Sequence, residues 1–519
     1  MLQRFLLLLT LFTILTYNVK SEEAFYPEPS FFTQDSDFFF HTIERGQTVY
    51  SIAAMYNVPV DAIHELNPIS KRGIREGSLL KIPQESGSYF FHTIESKETI
   101  YSVSKKYQMA EDDITDANPG LSIETFIIGR VIRIPTNKVI NPIKNKNEDE
   151  TKALLNTVTE GIAIKNVKVA LLLPIGLKEK TTIENASQNR MVEYYEGVLL
   201  ALDELKKKGI SVSLQVHDIG STSDLIPSIL KKEEMQNIHL LIGGLTDEQI
   251  RLMSYFSKEQ GIPYVIPFTS KNEEVQNNYN IFQINTPQSH LYSKTSLAFC
   301  DKYKSSDIIF FDSGKDADKI ELIEVIKADL DVKKISYRTV STPQDILFWL
   351  SDSKNTVVVP SDDSEDTLAR LIKVLKKTKE KNPQTSISLF GHPSWQVYTA
   401  KYSADFFRLN ANFYTIFYAN PASFSVKSFH DKYSRWYSRE LINRFPKYGM
   451  LGYDTGMFFI QLLHQYGTSY STNINNLKYV GVQTDFHFEQ INNWGGFINI
   501  NTFFVEFGAD YKINVKRIN

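Results

Sequence analysis

Cysteine is almost missing from this 519-residue chain, with Cys300 as the single example. One cysteine excludes an intramolecular disulfide and any thiolate-built metal site. It also leaves none near the N-terminus to carry a lipid, so lipoprotein anchoring by the usual route is not expected. An excess of one charge is missing too: 57 Lys and Arg face 60 Asp and Glu, a formal charge of −3. Such a chain offers no electrostatic case for nucleic acid. Gly-x-Ser-x-Gly, His-Glu-x-x-His and a Walker loop are all absent, so the expectation is no enzyme, no cofactor and no metal. Acidic pairs such as Asp362-Asp363 sit in polar stretches and read as solvated loops, although a glycosidase would need two carboxylates across a cleft. The apolar run from Phe5 to Leu15, after Arg4, is shorter than the ~20 residues of a membrane span. It reads as a removable export signal over residues 1–21, ending at Val19-Lys20-Ser21. Export without disulfides fits a bacterial periplasm.

What the chain does contain is a stretch that occurs twice. Phe40-His41-Thr42-Ile43 returns as Phe91-His92-Thr93-Ile94, and Thr48-Val49-Tyr50-Ser51-Ile52 as Thr99-Ile100-Tyr101-Ser102-Val103. Tyr56 falls on Tyr107, Ile63 on Ile114, and Asn67-Pro68 on Asn118-Pro119. One residue is inserted before Lys81-Ile82-Pro83 meets Arg133-Ile134-Pro135. A repeat fixes the unit of folding. Phe38 to Ile43 suits a strand ending at Gly46. Thr48 can cap a helix whose Val49, Ile52, Ala53 and Tyr56 share one face. Pro59 suits the first turn of a second helix, Asn67-Pro68 stops it, and Leu79 to Ile82 reads as a closing strand. The unit is strand-helix-helix-strand, over 38–84 and again over 89–136. His41 and His92 recur beside a strand. No second ligand follows at a metal-ligand spacing, so a packing role is expected for them.

This pattern resembles the LysM domain, a carbohydrate-binding module for N-acetylglucosamine glycans such as peptidoglycan and chitin. The resemblance rests on Gly46-Gln47-Thr48-Val49, Ile52-Ala53, Tyr56, Asn67-Pro68, and Gly77 before Leu79-Leu80-Lys81-Ile82-Pro83. It implies a shallow glycan furrow between the first strand-helix turn and the second helix-strand loop. In the first copy the implied residues are Gly46, Gln47, Thr48, Val49, Tyr50, Asn67 and Pro68. In the second they are Glu98, Thr99, Ile100, Tyr101, Asn118 and Pro119, with Lys97 where the first copy has the turn glycine.

Residues 137–165, rich in Asn, Lys and Glu, read as a solvated tether averaging about 30 Å end to end. From Val167 strands and helices alternate. Val169 to Pro174 is a continuous apolar run, as in a strand buried on both faces. Tyr194 to Lys208, Leu225 to Met235 and Thr246 to Gln260 read as helices, with strands at 212–216, 239–242 and 264–267. A second series has strands at 308–311, 335–337, 356–359, 387–390 and 413–418. The βα alternation argues parallel sheets covered by helices, and 166–519 is too long for one core. Lobe 1 is expected over about 166–286 plus 420–480, lobe 2 over about 287–419 plus 481–510.

This part resembles the type I periplasmic solute-binding fold, in its branched-chain amino-acid receptor class. The carrying residues are Val167 to Pro174 followed by Gly197-Val198-Leu199-Leu200-Ala201, then Ile242-Gly243-Gly244, Ile262 to Pro267, and Tyr453-Asp454. The whole is thus a multidomain α+β and α/β chain. The resemblance implies an inter-lobe ligand site at Gly244, Thr246, Thr269 and Ser270; where this chain departs from the family pattern, Trp395 near the cleft mouth is read as stacking on a ring or filling the cleft. Asp247 and Glu248 in the first helical turn would repel a carboxylate there, and Gly391 to Trp395 supplies no acid for an amine. The expected function is non-catalytic: a periplasmic protein whose repeats hold peptidoglycan and tether the two-lobed domain to the wall. Two alternatives stand beside it, a receptor for an amino-acid-like or peptide solute, and a protein-binding regulator of cell-wall synthesis.

Overall fold

The computed structural model describes residues 38–44, 46–84, 88–122, 125–136, 162–176, 186–314, 320–351 and 353–518. The expected signal over 1–21 and most of the expected tether, 137–161, lie outside the described residues.

Each repeat is the strand-helix-helix-strand unit that its sequence predicts. In the first, β1 (Phe38–Thr42) pairs antiparallel with β2 (Leu79–Pro83), with helices Val49–Tyr56 and Val60–Leu66 between. In the second, β3 (Tyr89–Thr93) pairs with β4 (Val131–Pro135) around helices Ile100–Tyr107 and Glu111–Ala117. Thr48 starts its helix by accepting from Ser51 N–H at 3.1 Å, while Ser51 Oγ accepts from Thr48 N–H at 2.9 Å. Thr99 and Ser102 repeat both bonds at the same lengths. Such a reciprocal cap satisfies donors the first turn leaves open. The two modules lean on each other: Phe39 stacks on Phe91 at 5.2 Å, and Thr93 Oγ1 donates to Phe40 O at 2.5 Å.

The larger domain has two seven-stranded sheets. The first is ordered β15-β16-β9-β8-β7-β5-β6, with β5 (Asn166–Leu173), β6 (Ser211–Asp218), β7 (Leu240–Gly243), β8 (Tyr264–Ile266), β9 (Ile281–Gln283), β15 (Phe488–Gln490) and β16 (Phe497–Asn499). The second is ordered β11-β10-β12-β13-β14-β17-β18. Its strands are β10 (Asp307–Phe311), β11 (Tyr337–Val340), β12 (Thr356–Pro360), β13 (Ile387–Gly391), β14 (Asn412–Thr415), β17 (Thr502–Phe507) and β18 (Ile513–Ile518). β5 to β9 pair in parallel, as do β10 to β14, and the late strands add antiparallel pairs. Helix Ala186–Lys207 crosses helix Tyr448–Tyr466 closely, because Gly197 and Gly452 let one backbone reach the other. Asp454 is buried and accepts N–H bonds from Val482, Gln483 and Thr484 and the Tyr479 hydroxyl, clamping the segment that leads back between the lobes.

Two expectations change. Residues 488–499 belong to the first sheet, through β16 on β9, so the return to the second lobe begins at β17 and not near 481. Leu225 to Met235 is a short helix, Ile226–Leu230, and then a 3-10 turn, Glu233–Asn237. Among the described residues no helix is long and apolar enough to cross a membrane.

The modules do not hang free of the first sheet. Trp494, 3% exposed, enters the first module's core. Its ring centroid lies 6.0 Å from Tyr56 and 5.8 Å from Phe91, and the Arg133 guanidinium sits 4.4 Å over its ring. Arg133 also donates to Asn277 Oδ1 at 2.5 Å, Asn493 Nδ2 to Val131 O at 3.2 Å, and Asn277 Nδ2 to Ala54 O at 3.2 Å. A buried aromatic anchor and several hydrogen bonds thus seat both modules on lobe 1.

Candidate functional site: two furrows and a cleft

Each module presents two loops, one between its first strand and first helix, the other between its second helix and closing strand. Several of the expected furrow residues build these loops instead of lining them. Thr48 and Thr99 are helix caps, and Val49 and Ile100 are buried core residues. Gln47 Oε1 accepts from Glu44 N–H at 2.8 Å and lies 2.6 Å from His41 Nε2, while His41 Nδ1 lies 2.8 Å from the Tyr56 hydroxyl. With the proton on Nε2, the ring donates to the amide and accepts from the phenol, so one tautomer satisfies both bonds. The second module repeats the chain with a charge in it. Glu98 Oε2 accepts from Glu95 N–H at 2.8 Å and lies 2.7 Å from His92 Nε2, and Tyr107 OH lies 3.0 Å from His92 Nδ1. The recurring histidines are thus packing struts.

The electrostatics of the two struts differ accordingly. Burial drives His41 down to about 4, with only the Gln47 bond opposing, so it stays neutral. At Glu98 burial pushes upward. The hydrogen bonds from His92 and from Glu95 N–H, with the charges of His92 and Lys106, win and hold it at about 2.

Asn67 and Asn118 are also spoken for. Asn67 Nδ2 donates to Ile63 O at 2.8 Å and Lys81 O at 2.7 Å, and its Oδ1 accepts from Lys81 N–H at 2.9 Å. Asn118 makes the same three bonds to Ile114 and Arg133. Both staple a helix end to the closing strand. Of the expected residues, Tyr50, Pro68 and Pro119 are exposed, Tyr50 at 69%, and Gly46, Gln47, Thr48, Asn67, Glu98, Thr99 and Tyr101 are half-buried.

The two lobes touch opposite loops in the two modules: the first helix of lobe 2, Ser289–Tyr303, meets the first module's strand-helix turn, and lobe 1 meets the second module's helix-strand loop. Gly46 and Lys97 share a left-handed backbone, φ 73° and 69°. A Cβ on Gly46 would strike the backbone of His290, whereas Lys97 is exposed. In the second loops the pattern reverses. Gly120 N–H donates to Asn493 O at 2.8 Å and has the Gln490 amide where a Cβ would stand. Its counterpart Ile69 is 82% exposed. Each furrow therefore has one wall covered by the larger domain, by lobe 2 in the first module and lobe 1 in the second, and one wall open at Ile69 or Lys97, although Glu76 farther along the first module's second loop accepts from Ser293 Oγ at 2.9 Å.

In the larger domain Gly244, Thr246, Thr269 and Ser270 do gather at the carboxyl ends of β7 and β8. Thr246 caps helix Asp247–Gln260 with Gln249, and Glu248 is held by Arg251 at 2.8 Å. Beside Thr269, Phe268 packs between Tyr194 and Tyr448 at 4.8 and 5.0 Å. Trp395 is a correction: it is 0% exposed, packed on Phe406 inside the second lobe, with Gly391 cleared of a Cβ to admit it. An indole in that core cannot stack on a ligand in the cleft. The carboxylate judged missing near 391–395 is supplied by the neighbouring strand end, where Asp363 Oδ2 accepts from Ser394 Oγ at 2.8 Å. Asp362 beside it is buried, and bonds from the Ser313, Ser364 and Thr367 side chains hold it at about 2 against that burial. The pair is a strand-end fixture and not a solvated loop.

The LysM domain family model matches residues 41–83 and 92–135. The chain carries two LysM domains. Among curated proteins, one named as a sporulation-specific glycosylase, YdhD, of Bacillus subtilis is 24% identical over 191 residues, 35% of this chain and 43% of its own. One named as an autolysin, SsaALP, of Staphylococcus aureus is 24% identical over 89 residues, 15% of this chain and 34% of its own. The chain thus spans less than half the length of either relative. Among solved structures, a protein described as a branched-chain amino acid ABC transporter from Rhodospirillum rubrum superposes with a TM-score of 0.51 at 13% identity, over 68% of this chain and all of that one. That likeness shows the fold, a type I periplasmic-binding architecture after the LysM pair.

Sequence reasoning missed Trp494, Asn493 and Gln490, which seat the LysM pair on lobe 1. No periodicity marks them. They lie at the end of β15 and in the turn to β16, with partners hundreds of residues away, and only the adjacent Gly495-Gly496 hints at a tight turn.

Proposed function

We propose that the chain is a non-catalytic peptidoglycan-binding protein of the periplasm, in which the two LysM domains hold N-acetylglucosamine-containing glycan and fix lobe 1 against the wall. The observation that carries this reading is the open part of each furrow, Pro68-Ile69 with the exposed Tyr50 across from it in one LysM domain, and Lys97 with the half-buried Tyr101 in the other. An exposed tyrosine and exposed aliphatic groups suit the apolar face of a sugar ring. Two weak modules on one rigid base gain through effective concentration when both reach one polymer. Relatives named as a glycosylase and an autolysin agree with a glycan as the common ligand. The non-catalytic part rests on the carboxylates beside the furrows. A glycosidase acid needs a raised pKa, yet Glu98 is held at about 2 and Glu44 is paired with Arg130 at 3.0 Å. The full chain should co-sediment with purified insoluble peptidoglycan, be displaced by chitooligosaccharide and release no soluble sugar. Failure to co-sediment, or release of reducing ends, overturns the reading.

A further inference from the structure

The covered walls of the two LysM furrows meet in one place. Between them and the larger domain lies a cavity of about 360 Å³. Its polar lining is Gln47 and Glu44 of the first LysM domain, Thr125 and Arg130 of the second, Gln276, Glu489 and Gln490 of lobe 1, and His290 of lobe 2. Met55, Phe488, Ile491 and Ile498 form its apolar lining. Its size is at the small end of the ~300–1,000 Å³ usual for ligand sites, which also favour domain junctions.

The polar lining is under-used. Gln276 is 6% exposed, and its Oε1 has no hydrogen-bond partner among the described residues. Buried side-chain oxygens are rarely left so, because the lost solvation costs ~1–3 kcal/mol. Gln47 spends Oε1 inside its own module, and among the described residues nothing bonds its Nε2. Gln490 spends Nε2 on Gly495 O at 3.2 Å and keeps Oε1. Arg130 and Glu44 on the wall neutralise each other at 3.0 Å, and Glu489 and His290 also line it. A carboxylate at Glu489 disfavours an anion, so a matching ligand is non-anionic, short, rich in both donors and acceptors, and apolar on one face.

We propose that this junction is a separate saccharide site that takes the end of an N-acetylated oligosaccharide and exists only while the LysM pair is seated on lobe 1. The three primary amides match hydroxyl and acetamido groups, and the Met-Phe-Ile wall matches the C–H face of a sugar ring. The cavity is too small for the middle of a polymer strand. The inference rests on the glycan reading above and adds a site that lobe 1 completes.

The test uses the full chain, N,N′-diacetylchitobiose as the short probe by titration calorimetry, and insoluble peptidoglycan as the long one. Gln276→Leu removes the unpartnered amide at nearly constant volume, and Gln490→Met removes a second lining amide, the one whose Oε1 is unused. Both should weaken disaccharide binding at least tenfold while polymer co-sedimentation changes less than twofold. Unchanged or tighter disaccharide binding in both variants overturns the proposal, as does a wild-type chain that binds polymer and ignores the disaccharide. Loss of polymer binding by the wild type overturns the wider glycan reading instead.

Discussion

The two LysM domains share one backbone plan and differ where each meets the larger domain, the first at lobe 2 and the second at lobe 1. The first has glycine in its strand-helix turn because His290 leaves no room for a side chain. The second tolerates Lys97 in the same left-handed conformation because that turn faces water. In the second loops the roles exchange, with Gly120 covered and Ile69 exposed. Their histidine struts differ as well: neutral through Gln47 in the first, tied to a carboxylate through Glu98 in the second. A residue difference between repeats is thus a record of what each copy packs against, and not simply of decay in one of them.

The comparison breaks most severely at Trp494. Truncation by Trp494→Ala removes a buried anchor from the first LysM domain's core and the partner of Arg133, at a cost of about 3–5 kcal/mol. Thermal unfolding should show a separate, earlier transition, and small-angle scattering a larger radius as the pair leaves lobe 1. Next, Gly46→Lys copies the second module's turn into the first. Left-handed strain of about 1–2 kcal/mol adds to overpacking against His290 of about 1–3 kcal/mol. Chemical denaturation should register the sum.

Acid sharpens the contrast. The folded His41 lies at about 4, below its ordinary value of 6.5, so the unfolded chain binds more protons between those values. Stability of the first LysM domain is full above about 6.5 and is lost as pH falls to about 4, by up to about 3 kcal/mol. Glu98 is depressed from 4.5 to about 2, so the second domain's corresponding loss begins only below about 4.5. Limited proteolysis at pH 5 should cut within 38–84 before 89–136. The smallest effect belongs to Lys97→Gly, where relief of left-handed strain and the added freedom of the unfolded chain nearly cancel, leaving stability within about 0.5 kcal/mol.

Much of the fold was legible because it is local. The doubled text predicts the strand-helix-helix-strand unit, Thr48 and Thr99 predict their caps, and Val169 to Pro174 predicts a strand buried on both faces. What could not be read is long-range. Helix Ala186–Lys207 starts well before Tyr194, since its polar first turns are held from afar, Arg190 lying 3.6 Å over the Tyr448 ring. β15 and β16 are three residues each, too short for an alternation to show, and find their place only by pairing with β9. At the site, repetition singled out Gln47, Asn67 and their partners correctly as special. It could not separate residues that shape a loop from residues that face a ligand, because both recur with the fold. Trp395 shows the same limit: a tryptophan after a loop proline has the same spelling in a cleft and in a core.

The most direct measurement is hydrogen exchange of the full chain with and without a soluble chitooligosaccharide. The account predicts added protection at 67–74 in the first LysM domain and at 97–101 in the second, the two free walls, with the seated loops at 46 and 120 already protected without ligand. Exchange unchanged by glycan at both free walls would contradict it.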